Sequence, residues 1–257
     1  LGLDSTERIS KIIIHPNDPN TIYAAVPGAL WSDSKHRGLY KSTDAGKTWT
    51  KIYFVDEKTG CADFAINPKN PEIMYMSTWQ FRRTPWSFAS GGKTSALFKS
   101  IDGGKSWKKI HNGIEGDTLG RICIAIAPSE PEQLYIIVES KNTSLYKSSD
   151  GGESWKRKSG SMNVSWRPFY FSLIVVDPTD PKRIYRPSLN LSFSNDSGES
   201  FSEESSAGGW VHSDHHALWI NPNNPSHLLL GTDGGVYQSL DRGNSWTMFG
   251  NLPVSQF

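Results

Sequence analysis

Two aspartates are the best candidates for acid–base chemistry in this sequence of 257 residues. Asp63 interrupts the otherwise apolar segment 61–66, and Asp214 lies in the cluster His-Ser-Asp-His-His at residues 212–216. Hydrolysis of a glycosidic bond needs two carboxyl groups flanking that bond, roughly 5–5.5 Å apart for retention and roughly 6.5–9.5 Å apart for inversion. We therefore predict Asp63 and Asp214 as a candidate catalytic pair. The alternative for Asp63 is a structural carboxylate bonded to neighbouring strand ends or to Arg121.

The histidines around Asp214 form the densest polar cluster, and imidazole with carboxylate suits several divalent metals. In an extended strand, however, His212 and His216 would lie about 13 Å apart at ~3.3 Å per residue, too far to share one ion. The sequence also lacks a glycine-rich phosphate loop. We therefore assign no metal and no cofactor, and we predict that His212, His215 and His216 contact a ligand.

Aromatic and arginine side chains form a second candidate group. Rings offer apolar stacking faces, and a guanidinium donates hydrogen bonds in a plane, so together they suit a sugar or peptide ligand. The alternative is that the tryptophans pack between structural repeats. The predicted ligand-binding residues of this group are Trp31, Arg82, Trp86, Arg121, Trp166, Arg167 and Tyr170.

These candidates are carried by a repeated sequence. The pattern S-x-D-x-G-x-[ST]-[WF] occurs five times, roughly 45 to 58 residues apart, with its aspartates at Asp44, Asp102, Asp150, Asp196 and Asp241. A second motif, an apolar strand followed by Pro-x-x-Pro, alternates with the first. Each unit therefore predicts four short strands, named A to D here. The Pro-x-x-Pro turn joins A to B, a variable loop joins B to C, and the aspartate turn joins C to D.

A period of this length with four strands is typical of a propeller blade. We predict an all-β fold: a β-propeller of four-stranded antiparallel blades, with five blades in this chain. Residues 1–257 form a single propeller region, with blades at about 4–53, 54–111, 112–160, 161–204 and 205–252. The first and last residues stand at the same point of the repeat, so we expect a segment of a larger propeller.

The repeated aspartates are predicted to be structural. Aspartate accepts backbone N–H groups within a tight turn, and glycine supplies a positive φ. The tryptophan or phenylalanine that follows can pack between neighbouring sheets. We therefore expect turn residues, with no catalytic role, at these five positions.

Composition narrows the function classes. The formal net charge is +1 with acids and bases interleaved, so we predict no nucleic-acid partner. No apolar stretch reaches the roughly 18–20 residues of a membrane span. Cys61 and Cys123 lie in equivalent apolar strands, and we expect both to be buried free thiols.

The repeat resembles the Asp-box, or bacterial neuraminidase (BNR), repeat. This repeat occurs in sialidases, xyloglucanase-type glycoside hydrolases, sortilin-like receptors and photosystem II assembly factors. The segments 212–222 and 231–237 most resemble sortilin-like, glycosyl-hydrolase-type bacterial proteins. The resemblance implies a propeller that is secreted, periplasmic or on the cell surface. Such relatives usually have more than five blades. The Arg-Ile-Pro element of sialidases is absent, which disfavours that activity.

Binding residues should lie on the variable loops, because stereotyped turns belong to the scaffold. In an antiparallel blade the B–C and D–A loops share the face opposite the Asp boxes. These loops are residues 27–37, 79–95, 54–60, 111–120, 159–169 and 203–214, and the last includes Trp210. We predict binding of a glycan or peptide on that face. The alternatives are a glycoside hydrolase acting on a polysaccharide and a protein assembly factor, and further blades or another subunit are expected as partners.

Overall fold

The computed structural model describes residues 2–203 and 211–252. The chain folds into five antiparallel sheets, and in each of them four strands pair in sequence order. This arrangement confirms the predicted five four-stranded propeller blades, because each sheet carries one Asp box between its third and fourth strands. The described part contains one helix of four residues, and no helix there is long and apolar enough to cross a membrane.

The first three blades take up the chain as far as the helix. The first comprises β1 (Lys11–His15), β2 (Asp18–Val26), β3 (Gly38–Ser42) and β4 (Thr50–Tyr53). The second comprises β5 (Thr59–Ile66), β6 (Met74–Thr84), β8 (Ala96–Ser100) and β9 (Lys108–Lys109), with β7 (Ser87–Ser90) paired to β6. The third comprises β10 (Ile122–Ile126), β11 (Leu134–Val138), β12 (Ser144–Ser148) and β13 (Lys156–Ser159).

The helix α1 (Met162–Ser165) lies in the connection to the fourth blade. That blade comprises β14 (Val175–Val176), β15 (Ile184–Pro187), β16 (Leu191–Ser194) and β17 (Ser202–Glu203). The fifth comprises β18 (His215–Ile220), β19 (Leu228–Thr232), β20 (Gly235–Ser239) and β21 (Thr247–Met248).

Two segments that we predicted as loops contain regular structure. Residues 79–95 continue β6 beyond the blade and return as β7, with the register Phe81 to Ser90 and Thr84 to Ser87. The rings of Trp79, Phe81 and Phe88 pack together, so one side of this hairpin is buried. Residues 159–169 include α1, whose Val164 is buried in the core between the third and fourth blades.

The core lies between neighbouring blades. Phe64 of β5 packs on Tyr23 of the first blade, and Ile124 of β10 packs on Tyr75 of the second. Tyr75 also donates its hydroxyl proton to the carbonyl of Gly151, in the Asp box of the third blade (2.9 Å). Each blade therefore buries its neighbour's apolar face, and burial of this area is the main stabilising contribution. Cys61 and Cys123 are buried free thiols, as predicted.

The outer faces of the first and fifth blades expose apolar side chains, unlike the faces that meet between blades. Ile12 occupies in β1 the position of Phe64 and Ile124, which are buried, but its side chain is 60% exposed. Trp219 of β18, on the opposite end of the array, is 47% exposed. Apolar side chains that interior blades bury are therefore exposed on these two terminal faces in the described part of the chain.

Candidate functional site

The Asp boxes are self-contained turns. Asp44 Oδ1 accepts hydrogen bonds from the Ser42 hydroxyl (2.7 Å) and the Thr48 backbone N–H (2.9 Å), and Oδ2 accepts from the Thr48 hydroxyl (2.6 Å). The hydroxyl of Thr48 is the largest of the causes that lower the pKa of Asp44 to about 2. The same bonds recur in the other four copies. A carboxylate whose oxygens are occupied by its own turn is structural, which agrees with the prediction.

Asp63 connects three blades. It follows a β-bulge in β5, and its side chain is largely buried, at 9% residue exposure. Oδ1 accepts from Lys11 Nζ of the first blade (2.8 Å) and from the Phe64 N–H (2.8 Å). Oδ2 accepts from the Ile124 N–H of the third blade (2.7 Å). This geometry favours the structural alternative, a carboxylate bonded to neighbouring strands. A catalytic role for Asp63 stays a prediction.

Asp214 lies where the fifth blade meets the fourth. Its backbone has a positive φ of 61°, its N–H donates to the Leu189 carbonyl (3.0 Å), and its own carbonyl accepts from the Asp233 N–H (3.3 Å). Positive φ values are uncommon for residues other than glycine and tend to occur at functional or tightly constrained sites. Asp63 and Asp214 share no hydrogen-bond partner among the described residues.

The three histidines have different environments. His215 is buried, its Nε2 bonds the His212 carbonyl (3.0 Å), and burial lowers its pKa to about 4. His216 is half-exposed, and its Nε2 lies 3.0 Å from Asp233 Oδ1. The Nδ1 of His212 lies 3.0 Å from the Ser213 carbonyl. No group of three His, Cys, Asp or Glu side chains converges on one point within the described ranges.

Eight side chains form an unbroken series of contacts, which we call the aromatic–arginine ribbon: Trp31, Arg83, Phe88, Phe169, Arg167, Tyr170, Phe171 and His216. The guanidinium carbon of Arg83 lies 5.6 Å from the ring centroid of Trp31 and 5.9 Å from that of Phe88. The rings of Phe88 and Phe169 follow, with centroids 5.0 Å apart. This half of the ribbon therefore joins the first and second blades to the connection that precedes the fourth.

The second half of the ribbon reaches the fifth blade. The guanidinium carbon of Arg167 lies 6.0 Å from the centroid of Phe169 and 4.6 Å from that of Tyr170. The rings of Tyr170 and Phe171 lie 5.4 and 5.7 Å from the His216 ring. All eight residues lie on B–C or D–A connections or at the start of an A strand. The ribbon is therefore on the face opposite the Asp boxes, where we predicted the site.

One buried arginine holds the 27–37 loop, which carries Trp31, in place. Arg37 is fully buried, and its guanidinium donates to the carbonyls of Glu57 (2.8 Å), Ala29 (2.6 Å) and Ser32 (3.1 Å) as well as to that of Pro27. Burial lowers its pKa to about 10. These bonds fix the 27–37 loop without using a carboxylate partner.

The hairpin of the second blade is fastened to that loop. Arg82 donates to the Trp31 carbonyl (2.7 Å) and pairs with Asp33, and the Arg83 N–H donates to the Leu30 carbonyl (3.1 Å). Arg121 donates to the Phe169 carbonyl (2.8 Å) and stacks on Trp79. Arg82 and Arg121 thus support the ribbon through these loop contacts, and ligand contact by either of them stays a prediction.

A pocket of about 150 Å³ lies beside the ribbon, between α1 and the fourth blade. We call it the α1 pocket. It is lined by Met162, Asn163, Trp166, Ser188, Leu189, Asn190, Ser192 and Glu203. Ser188 is 5% exposed, and its hydroxyl has no hydrogen-bond partner among the described residues. Buried hydroxyls are normally paired, so this one is available for a ligand or a water molecule.

Of the predicted ligand residues, the structure brings Trp31, Arg167, Tyr170 and His216 into the ribbon and Trp166 into the adjacent pocket. Trp86 stands apart at the tip of the hairpin and is 85% exposed. Trp210 lies outside the described residues. The predicted ligand residues did not include the ribbon residues Arg83, Phe88, Phe169 and Phe171, although the first three lie in loops that we predicted to carry the binding face. One signal could have found them: the segments 79–95 and 159–174 are rich in aromatic residues and contain no acid.

Comparisons with known proteins agree with this fold. The profile of the BNR/Asp-box repeat matches residues 40–51, which contain the first Asp box. An ancestral GH74 enzyme superposes with a TM-score of 0.66 and 18% identity, over 94% of this chain and 33% of the enzyme. The GH74 xyloglucanase from Xanthomonas campestris gives 0.56 and 16%, over 96% of this chain and 44% of that one.

YCF48 from Cyanidioschyzon merolae gives a TM-score of 0.48 and 13% identity, over 74% of this chain and 56% of that one. No curated protein sequence matches the chain. This chain therefore spans one third and less than half, respectively, of the two GH74 proteins it resembles. At these identities the likeness establishes the fold alone.

Proposed function

Since this chain is a β-propeller built from Asp-box repeats, we propose that it binds an extended polysaccharide chain along the aromatic–arginine ribbon. One observation carries the proposal: aromatic rings and guanidinium groups contact one another without a break across the variable face. A site of this shape suits a linear polymer better than a small molecule, because its contacts are spread over four of the five blades.

The exposed members of the ribbon have the chemistry of a sugar platform. Trp31 and Tyr170 are 56% and 45% exposed although they lie in well-braced segments. A pyranose ring presents one face of C–H groups, and placing it on an exposed aromatic ring removes apolar area of both partners from water. Each stacked sugar therefore contributes to affinity without a new rearrangement of the protein.

The α1 pocket supplies the polar contacts that the ribbon lacks. The exposed face of Trp166 offers a further ring, and the free Ser188 hydroxyl together with Asn163, Asn190 and Glu203 can exchange hydrogen bonds with sugar hydroxyls. A few polar groups within a mostly apolar recess fix a ligand's orientation. The pocket would then hold one residue or a branch of the polymer.

Binding without hydrolysis is the simpler function for these residues. Both oxygens of Asp63 are already bonded to three donors on three blades. Asp214 alone does not provide the two opposed carboxyl groups that hydrolysis needs. An assembly factor would instead use a broad apolar patch, whereas this face alternates rings with charged groups. Because polysaccharides are largely extracellular, the proposal also includes a location outside the cytoplasm.

The test is affinity electrophoresis against soluble polysaccharides, with dissociation constants for those that retard the protein. We expect Trp31→Ala with Tyr170→Ala to weaken binding about ten-fold or more, since each ring contributes roughly 1 kcal/mol. Trp219→Ala removes an exposed tryptophan outside the ribbon and should leave affinity unchanged. Undiminished binding by the double variant, or retention by extended peptides and by no polysaccharide, would overturn the proposal.

A further inference from the structure

Two arginines of the ribbon have no anionic partner. Among the residues described, the guanidinium groups of Arg83 and Arg167 make no hydrogen bond or ion pair, and each lies 4.6 to 6.0 Å from the centroids of aromatic rings. Both side chains are exposed. A guanidinium stacked on a ring keeps its N–H groups directed outward in its own plane, where they can donate in pairs to a carboxylate or a sulfate.

Three other arginines of this face are already engaged. Arg37 donates to four carbonyls, Arg121 donates to the Phe169 carbonyl, and Arg82 pairs with Asp33. These three support loops, so their charges face protein acceptors. Arg83 and Arg167 differ from these three arginines, because their N–H donors remain available to a ligand at the surface.

The charge of the segments that carry Arg83 and Arg167 also favours an anionic ligand. Residues 79–95 contain Arg82, Arg83 and Lys93 and no aspartate or glutamate. Residues 159–174 contain Arg167 as their one charged residue. The protein as a whole carries a formal charge of only +1, so these two segments are more positive than the rest of the chain. Such an excess of positive charge attracts anionic ligands and speeds their association.

Acidic residues also lie near the ribbon, and one of them, Glu139, lies beside its middle, where its Oε2 accepts from the Ser90 hydroxyl (2.6 Å) and the Arg121 N–H (2.7 Å). Asp233 lies 3.0 Å from His216 at the fifth blade, and Glu203 lines the α1 pocket, where Asn190 Nδ2 donates to its Oε2 (3.5 Å). Asp33, at the other end, is paired with Arg82. None of these carboxylates is paired with Arg83 or Arg167 in the described part of the chain, so these two guanidinium groups are the part of the ribbon that suits a negatively charged group.

We propose that the polymer bound along the ribbon is an anionic polysaccharide, whose carboxylate or sulfate groups pair with Arg83 and Arg167. This inference rests on the proposed polysaccharide binding and adds the class of polymer. Alternating rings and guanidinium groups would stack the sugar faces and neutralise the acidic substituents of the same chain. A neutral polymer would leave both charges without a partner.

The experiment compares polymers that differ mainly in charge. Polygalacturonate against its methyl ester and alginate against its propylene glycol ester differ in carboxylate charge, and chondroitin sulfate against desulfated chondroitin differs in sulfate while both keep their carboxylates. We expect the more highly charged member of at least one pair to bind ten-fold or more tightly, with affinity falling as salt rises. The uronates and the sulfate separate carboxylate from sulfate recognition.

Substitutions test whether Arg83 and Arg167 bind the acidic groups of the polymer. Arg83→Gln with Arg167→Gln should lose about ten-fold in affinity for the charged polymer, and the two lysine substitutions Arg83→Lys and Arg167→Lys should restore part of it. Lys47→Gln with Lys105→Gln removes two charges from Asp-box turns on the opposite face and should not change affinity. Circular dichroism establishes that each variant is folded.

The results separate a failure of the anionic preference from a failure of polysaccharide binding. If the two members of every pair bind equally and the Trp31→Ala, Tyr170→Ala variant weakens both, the anionic preference is refuted and polysaccharide binding stands. If no polysaccharide binds, both proposals fail. Equally tight binding of polyglutamate or of a thymidine oligonucleotide would overturn the inference, because charge without sugar would then be sufficient.

Discussion

At the scale of single residues, the hydrogen-bond and ion-pair partners of a side chain determine whether it is free to act on a ligand. Asp63 and Arg121 are polar residues near the starts of inner strands, and that placement made them candidates for a site. The structure gives Asp63 three donors and gives Arg121 a loop carbonyl. Such partners come from other blades or distant loops, so they could not be predicted from the local sequence.

Asp63→Asn should therefore affect stability. Removing the charge of a largely buried carboxylate costs on the order of 2–3 kcal/mol, because the partly exposed Lys11 and two backbone donors lose a charged acceptor. We expect a lower urea midpoint at pH 7 with polysaccharide affinity unchanged in the folded variant. A variant that keeps its midpoint but loses the ability to cleave a polysaccharide would show instead that Asp63 is catalytic.

At the scale of secondary-structure elements, those that recur in every blade could be predicted from the sequence, and those that occur once could not. The five Asp boxes and the strands around them were predicted because each turn depends on its own residues, and five copies reveal the pattern. The β6–β7 hairpin and α1 were not predicted, since each occurs in one unit only. The ribbon was predicted in part: Trp31, Arg167, Tyr170 and His216 were named, but their contacts join segments far apart in sequence.

The Asp-box turns also predict how the protein responds to acid. The folded pKa values of Asp44 and Asp102 are about 2, below their usual 3.8, chiefly because the hydroxyls of Thr48 and Ser106 donate to them. A carboxyl group whose pKa is lower when folded stabilises the fold above its unfolded pKa. That stabilisation is lost as pH falls towards the folded value.

We therefore expect the urea midpoint to fall steeply between pH 4 and pH 2. Asp44→Asn with Asp102→Asn should make that fall shallower. Burial lowers the pKa of His215 to about 4, so protonation of His215 opposes folding mainly between pH 6.5 and pH 4, a separate window. An unchanged slope below pH 4 in the double variant would contradict the role assigned to these turns.

At the scale of the whole molecule, the interfaces between blades provide the stability and the variable loops provide the site. Each interior blade is covered on both faces, whereas the outer faces of the first and fifth blades expose Ile12, Ile14 and Trp219. These faces fit the expectation of further blades or another subunit, which stays a prediction. The ribbon, by contrast, lies wholly within the five blades described.

A matched pair of substitutions measures the difference between a covered and an uncovered face. Ile124→Ala removes a buried side chain between the second and third blades and should cost about 2–5 kcal/mol of unfolding free energy. Ile12→Ala changes the equivalent but exposed position and should stay within about 0.5 kcal/mol. Equal losses in urea unfolding would mean that the first blade's outer face is covered in solution.

Hydrogen–deuterium exchange of the protein, with and without a saturating polysaccharide, would locate the binding site along the chain. Binding along the ribbon predicts slower exchange in residues 27–37, 79–95 and 159–174, which belong to different blades, and unchanged exchange in the Asp-box turns. Protection confined to the Asp-box turns, or to one blade alone, would contradict an extended site on the opposite face.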